Sequence, residues 1–331
     1  MTKGKIFVTG GAGFIGSRVV KQLLENGYEV KCLLRKTTNT RRIDGLSFER
    51  FEGDITDTDS LKEGMKGCTG VIHLASLSNW KDIKSAKMPM VVIEGSKKVL
   101  DAAKENGNIK TVYVSSSTAI DGTDEKIILN EKSPLTLPKN KHYSYAHAKK
   151  QVEEYCMERS KAGQPITIVN PTEVYGPYDY DKITCGNLID FATTKTVQLA
   201  KGGTSIVYVD DVASGIIAAF EKGKSGERYI LGSDNMEFDD LAKVSLELLG
   251  VEKSIKPIGR GMLMRLAWWS KTFGINFGFE PAVIPYAVKY WFVDNTKAKE
   301  ELGVQFRGAK EILEPTLKWV KEEGMLEVKK K

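Results

Sequence analysis

The chain has 331 residues, 41% apolar and 28% charged, with acids and bases interleaved to a net charge of +6. This is the balance of a globular protein large enough for two small domains or one α/β unit with an added lobe. With no basic stripe set among aromatics, nucleic acid is not an expected partner, though the slight positive excess favours an anionic ligand. No apolar run is long enough to span a bilayer, and "MTKGKIFVTGG" runs straight into a strand with no leader peptide, so the expected compartment is the cytoplasm.

In chain order, short β-branched runs alternate with helical stretches. Strands are expected at 5–9, 29–34, 48–52, 71–75, 111–115 and 166–170, and helices near 14–26, 57–66, 89–106 and 142–162. Such alternation predicts a parallel sheet with helices on both faces. After residue 170 comes a turn-rich loop, "PTEVYGPYDYD", then two strand-like runs, "SIVYV" and "RYILG", then helices from "SDNMEFDDLAKVSLELLG" onward. The predicted division is 1–170 for the first domain, rejoined by the chain at about 204–232, with 171–203 and 233–331 forming a second lobe.

The four cysteines (Cys32, Cys68, Cys156, Cys185) lack a C-x-x-C pair and read as buried thiols. The three histidines (His73, His142, His147) are too dispersed for zinc, and no metal is expected.

"VTGGAGFIG" closes the first strand and opens a helix. Gly10, Gly13 and Gly16 permit a tight turn and close backbone approach, and the helix start at Phe14 and Ile15 offers N–H groups to a pyrophosphate. The same glycine spacing recurs at Gly64, Gly67 and Gly70, but that copy precedes a strand and presents no helix start. The second strand ends in Arg35 and Lys36, where an NAD-specific fold usually carries an acid. An arginine there suits a 2′-phosphate, so NADP is expected, with NAD as the alternative; the plain reading is a solvated basic loop with Arg41 and Arg42. In "GDITD", Asp54 is placed to accept from an adenine amino group and Ile55 to pack on its ring, unless Asp54 merely closes a turn.

The fifth strand ends in Ser115–Thr118, a hydroxyl cluster where ligands of parallel sheets sit. Tyr145 and Lys149 follow at helical i, i+4 spacing. An ammonium near a phenol favours the phenolate, so a lowered pKa and acid–base use are expected of Tyr145. Tyr178 and Lys182 share the spacing in a segment where no helix is expected, and His142 and His147 read as helix surface.

Taken together, "TGGAGFIG", "GDITD", "HLAS", "SSST", "YAHAK", "NPTEVYGP" and "YVDDVA", from residue 9 to about 232, resemble the extended short-chain dehydrogenases/reductases of the NAD-dependent epimerase/dehydratase superfamily. The resemblance implies a Rossmann doubly wound parallel sheet with a smaller, mainly helical C-terminal substrate lobe. It implies Ser117, Tyr145 and Lys149 as the catalytic set, with Lys149 also on the nicotinamide ribose. It places Leu74 and Ala75 beside the cofactor and Pro171 and Val174 beside the nicotinamide. It also implies a homodimer through the helix carrying Tyr145.

Three departures separate the chain from nucleotide-sugar enzymes of that type: Glu173 in "NPTEVYGP" where a neutral Asn is usual, Thr204 where an arginine is frequent, and Val92 where an Asn is usual. A carboxylate at 173 would repel a pyrophosphate. The "NPT" form is instead similar to dihydroflavonol-4-reductase-like and 3β-hydroxysteroid-dehydrogenase-like enzymes. The expected activity is therefore NADP-dependent interconversion of a ketone and an alcohol on a mostly apolar small molecule. The alternatives are a nucleotide-sugar epimerase/dehydratase retaining NAD and a non-catalytic NADP-binding regulator. The apolar run from Gly261 to Phe292 reads as lobe core, as a substrate pocket, or, with Arg260, Arg265 and Lys271, as a peripheral membrane contact. The terminal "EVKKK" reads as a solvated tail.

Overall fold

The computed structural model describes residues 2–77, 85, 87–273 and 283–326; the terminal "EVKKK" and the 274–282 part of the apolar run lie outside them. In the first 171 residues the strands are β1 (Lys5–Thr9), β2 (Glu29–Leu34), β3 (Glu49–Glu52), β4 (Gly70–His73), β5 (Lys110–Val114) and β6 (Ile166–Pro171). The helices are α1 (Phe14–Glu25), α2 (Thr58–Met65), α3 (Lys87–Pro89), α4 (Ser96–Glu105) and α5 (Ser144–Lys161), with a π-helical turn, Met90–Gly95, joining α3 to α4. Then come β7 (Glu173–Tyr175), α6 (Cys185–Thr193), β8 (Val197–Leu199), β9 (Gly203–Tyr208), α7 (Val209–Lys222) and β10 (Arg228–Leu231). The chain finishes with β11 (Asn235–Glu237), α8 (Phe238–Leu249), β12 (Ile255–Pro257), α9 (Arg260–Phe273), α10 (Ile284–Ala287), β13 (Tyr290–Trp291) and α11 (Ala309–Glu322).

Seven strands form one sheet in the order β10-β6-β5-β4-β1-β2-β3, every pair parallel. Burial on both faces explains their continuous apolar character: Ile6, Val8, Val112 and Val169 join α1 and α7 residues in one core, while Phe7 and Val71 join α2 and α4 residues on the opposite face. This is the doubly wound architecture read from the sequence.

The return of the chain differs from the expectation in one strand. β9 does not rejoin the large sheet; it pairs with β7, β11 and β13 in a second, small sheet. Only α7 and β10 return, α7 packing on α1 and β10 adding the seventh strand beside β6. The lobe is mainly helical, but it also contains two- and three-residue strands where only helices were expected, because a strand that short shows no alternation. Its own core gathers Leu188, Phe191, Ile206, Leu241 and Ile312.

The outer edge of β10 is occupied by side chains. The Glu131 carboxylate accepts from the Ile230 amide at 3.0 Å, and Lys297 Nζ donates to the Arg228 carbonyl at 2.9 Å.

Candidate active site

The order of the large sheet reverses between β1 and β4, and ligand crevices of open α/β sheets form beyond the carboxyl ends of strands at such a point. Gly10 sits there at φ +74°, and a Cβ on it would stand 2.7 Å from the Ala75 amide nitrogen. A Cβ on Gly16 would stand 2.1 Å from the Gly10 carbonyl. Both positions therefore require glycine. Gly13, exposed, is the N-cap of α1; no side chain caps this end and no acid stands in its first turn. The N–H groups at Phe14, Ile15 and Gly16 thus begin the helix without side-chain acceptors, a cradle that fits a dinucleotide pyrophosphate. The second glycine triplet is different: a Cβ on Gly64 would meet Phe7 and Phe51, and one on Gly70 would meet Phe220. Those glycines serve packing.

A chain of five hydrogen bonds holds the backbone opposite Gly10. The Leu74 amide donates to the Thr9 carbonyl at 3.0 Å, and the Ala75 amide to Thr9 Oγ1 at 3.3 Å. Thr9 Oγ1 lies 2.6 Å from His73 Nδ1, and His73 Nε2 lies 2.9 Å from Ser96 Oγ, whose hydroxyl donates to the Val92 carbonyl at 2.6 Å. Only the Nε2–H tautomer lets every member donate once. Burial, and secondarily Lys149, pushes His73 down to about 3, so it stays neutral. The sequence reading credited the "HLA" backbone but missed Thr9, His73 and Ser96 as its support.

Arg35 stands exposed immediately after β2, with no acidic partner among the described residues. Asp54 Oδ1 accepts from the Thr56 amide at 2.8 Å and from its hydroxyl at 2.7 Å, so the carboxylate does close a turn. Ile55 is buried against Gly95, where a Cβ would meet its Cδ1 at 2.8 Å. Pro171, ending β6, and Val174, in β7, are buried.

Tyr145 and Lys149 share one face of α5, as their spacing predicts. Lys149 is buried, and its Nζ donates to the Val114 carbonyl at the end of β5 at 2.9 Å. Nζ also lies 5.0 Å from the Tyr113 ring centroid and 5.8 Å from that of Tyr145. The predicted effect on the phenol is corrected by the structure. Burial raises Tyr145 to about 12 rather than lowering it; the counteracting influence is Ser76, whose hydroxyl is near enough to favour the phenolate although it meets no partner at hydrogen-bonding geometry. Tyr145 as a residue is partly exposed, but its hydroxyl end is enclosed, and desolvation there outweighs an ammonium directed at a carbonyl. Burial pulls Lys149 down to about 8, with Glu153 acting to raise it.

The serine cluster divides its work. Ser115 Oγ donates to Glu153 Oε1 at 2.6 Å, and Ser116 Oγ accepts from the Thr118 amide, capping the short turn Ser117–Ala119. Ser117 makes no side-chain hydrogen bond to another described residue, and its turn packs against α5. Behind it, fully buried Glu153 also accepts from Asn170 Nδ2 at 2.5 Å and pairs with Arg228 at 3.0 Å. Glu153 follows Lys149 by four residues, a signal the sequence carried; its partner on β10 was out of sight.

Glu173 also differs from its predicted role. Its carboxyl accepts from Tyr175 Oη at 2.7 Å and from Asn187 Nδ2 at 3.1 Å. Burial raises its pKa toward the neutral form, which weakens the expected repulsion of a pyrophosphate.

Beside the α5 start lies a cavity of about 400 Å³, lined among others by Thr123, Asp124, Leu137, Tyr143, Arg260 and Lys289. Asp124 pairs with Arg260 at 2.8 Å and Lys289 at 3.1 Å. Tyr143 packs edge-on against Tyr286, which stacks on Trp291, and Tyr286 is close enough to Tyr145 for the two phenols to influence each other. Tyr286 and Trp291 of the aromatic run thus pack behind Tyr143, which lines the cavity.

Against known proteins, the profile of the NAD dependent epimerase/dehydratase family matches residues 6–232. The chain belongs to this family. A putative dihydroflavonol 4-reductase of Synechocystis is 29% identical, covering 96% of this chain and 95% of that protein. A 4-hydroxy-2-methyl-3-oxo-4-farnesyl-3,4-dihydroquinoline-1-oxide ketoreductase of Stigmatella aurantiaca is 28% identical over 76% of this chain and 75% of its own. The solved UDP-glucose 4-epimerase of Thermotoga maritima with UDP-glucose is similar at a TM-score of 0.76 and 25% identity, covering 96% and 99% of the two chains. As an extended short-chain dehydrogenase/reductase, this family member is an NAD(P)-dependent oxidoreductase with a Rossmann-like sheet.

The Tyr178–Lys182 pair has left-handed backbone at both residues, φ +77° and +53°, and no helix. All four cysteines are buried free thiols. Among the described residues, no helix is long and apolar enough to cross a membrane.

Proposed function

We propose that the protein is an NADPH-dependent reductase of a ketone on a mostly apolar small molecule, using Ser117, Tyr145 and Lys149. The observation that carries this reading is the enclosed, neutral phenol of Tyr145 beside buried Lys149, next to the turn bearing the uncommitted Ser117 hydroxyl. A neutral phenol is the proton donor that carbonyl reduction requires. Ser117 would hydrogen-bond the carbonyl oxygen and orient it. Tyr145 would give that oxygen its proton, and cationic Lys149 would stabilise the phenolate left behind. A nicotinamide cofactor held by these residues would supply the hydride. The α1 start, with Gly10, Gly13 and Gly16, would hold the pyrophosphate, and Leu74 and Ala75 would flank the cofactor. Pro171 and Val174 would back the nicotinamide, with Asp54 and Ile55 on the adenine side. Arg35 would hold the 2′-phosphate.

The reductase names of the two curated relatives support a ketone substrate, and the farnesylated substrate of one supports an apolar one. A screen of ketones and alcohols with NADPH and NADH, run beside UDP-sugars, tests the reading. Turnover should require NADPH, and Arg35→Ala should weaken NADPH binding by about 10–100-fold while leaving NADH binding unchanged. Equal use of both cofactors would overturn the 2′-phosphate role.

One observation favours a second reading. Burial raises the Glu173 pKa, which weakens a charge objection to a nucleotide sugar. An epimerase would purify with NAD bound and turn over a UDP-sugar without added cofactor.

A further inference from the structure

A helix at the surface of a lobe normally turns polar residues outward. α9 does not. Leu263 and Ala267 face inward, onto Ala200, Ile284 and Val288. The opposite side carries Met262, Met264, Trp268, Trp269 and Phe273, between 41% and 64% exposed. These are five of the nine large apolar side chains most exposed among the described residues, on one 14-residue helix. A concentration of that kind marks a contact surface rather than ordinary scatter.

Charge identifies the partner. Between Glu252 and Glu280 the sequence has five basic residues (Lys253, Lys256, Arg260, Arg265, Lys271) and no acid, in a chain whose charges otherwise interleave. Arg265 is exposed on the apolar side, between the helical positions of Met262 and Trp268, and has no acidic partner among the described residues. A second copy fits poorly: across a two-fold axis the same patch would face itself, cation to cation, and the neighbouring acid Asp124 is already held by Arg260 and Lys289. Tryptophans beside long cationic side chains are the composition of surfaces that lie in a bilayer interface, indoles at headgroup depth and cations on anionic lipid.

We propose that the outer face of α9 docks on a lipid bilayer containing anionic headgroups. Docking there sets the bilayer beside the cavity at the start of α5, because Arg260, the first residue of α9, lines that cavity together with Tyr143; that the cavity leads on to Tyr145 rests on the proposed reaction. An apolar substrate dissolved in the membrane would then enter without crossing water.

Vesicle binding reads this inference without turnover, so it stands or falls apart from the proposed reaction. The full chain is sedimented with vesicles of phosphatidylcholine alone and of phosphatidylcholine mixed with phosphatidylglycerol. Binding should require phosphatidylglycerol, weaken with salt and blue-shift the tryptophan emission. Arg265→Glu should weaken it roughly tenfold or more, and Trp268→Ser combined with Trp269→Ser should abolish it, with the unfolding temperature unchanged. Absence of binding, binding indifferent to phosphatidylglycerol, or undiminished binding by the double variant would overturn the proposal. So would a dimer that the double variant converts to monomer without any vesicle binding, an outcome that assigns the face to a second copy.

Discussion

Two Tyr-x-x-x-Lys segments lie 33 residues apart in this chain with the same spacing and opposite fates. Tyr145 and Lys149 stand one turn apart on α5, the lysine buried and anchored on the last carbonyl of β5. Tyr178 and Lys182 stand in left-handed backbone, the tyrosine exposed, with Arg18 over its ring and Trp319 tilted beside it. Spacing alone supplies neither a helix nor burial. What distinguishes the first pair, and suits it to the proposed chemistry, is the strand end that receives its ammonium and the enclosure that holds its phenol neutral.

The largest contrast should come from removing the hydroxyls. Tyr145→Phe should lower the reduction rate by about 10²- to 10⁴-fold with cofactor binding kept, whereas Tyr178→Phe should change it by no more than about twofold. Steady-state rates together with cofactor titration check both. If Tyr145→Phe turns over normally, the proposed proton donor is wrong.

The pH profile separates the pairs next. Lys149 is pulled down to about 8 by burial, so its charge is present below that pH and lost above it. Reduction should therefore decline as pH rises through about 8, while Tyr145, at about 12, stays protonated throughout the decline. A profile flat to pH 10 would contradict this assignment.

Glu153→Gln should move the decline to lower pH, because the Glu153 carboxylate acts to raise Lys149. It should also cost about 3–5 kcal/mol of stability by leaving buried Arg228 unpaired. A purely structural role would lower the denaturation midpoint but leave the pH profile where it was.

The smallest effect on stability should be seen at the lysines' backbone. Lys182→Gly removes a side chain from a left-handed position and should stabilise the fold by about 1 kcal/mol. Lys149→Gly, inside a helix, should destabilise it by about 1 kcal/mol from propensity alone, with loss of activity besides.

Most of the large sheet was legible because its strands are buried on both faces and so appear as continuous apolar runs. The rejection of Tyr178–Lys182 was legible too, since "YGP" announces a turn. What escaped depended on distance along the chain. Glu153 was visible on the face of Lys149, but Arg228 lies 75 residues away. The pairing of β9 with β13 joins residues more than 80 apart. The direction of the Tyr145 shift escaped for another reason: spacing reports proximity to a charge, whereas the phenol responds chiefly to desolvation, which only the packed structure reveals.

The occupied rim of β10 has a consequence for behaviour in crowded solution. A parallel sheet that stops at seven strands leaves a final strand whose outward N–H and C=O groups invite another chain to add on. Here Glu131 already holds the Ile230 amide and Lys297 the Arg228 carbonyl. A foreign strand would have to displace two charged groups before its first ladder bond could form. These two side chains therefore act as stoppers against edge-to-edge pairing at this rim of the sheet.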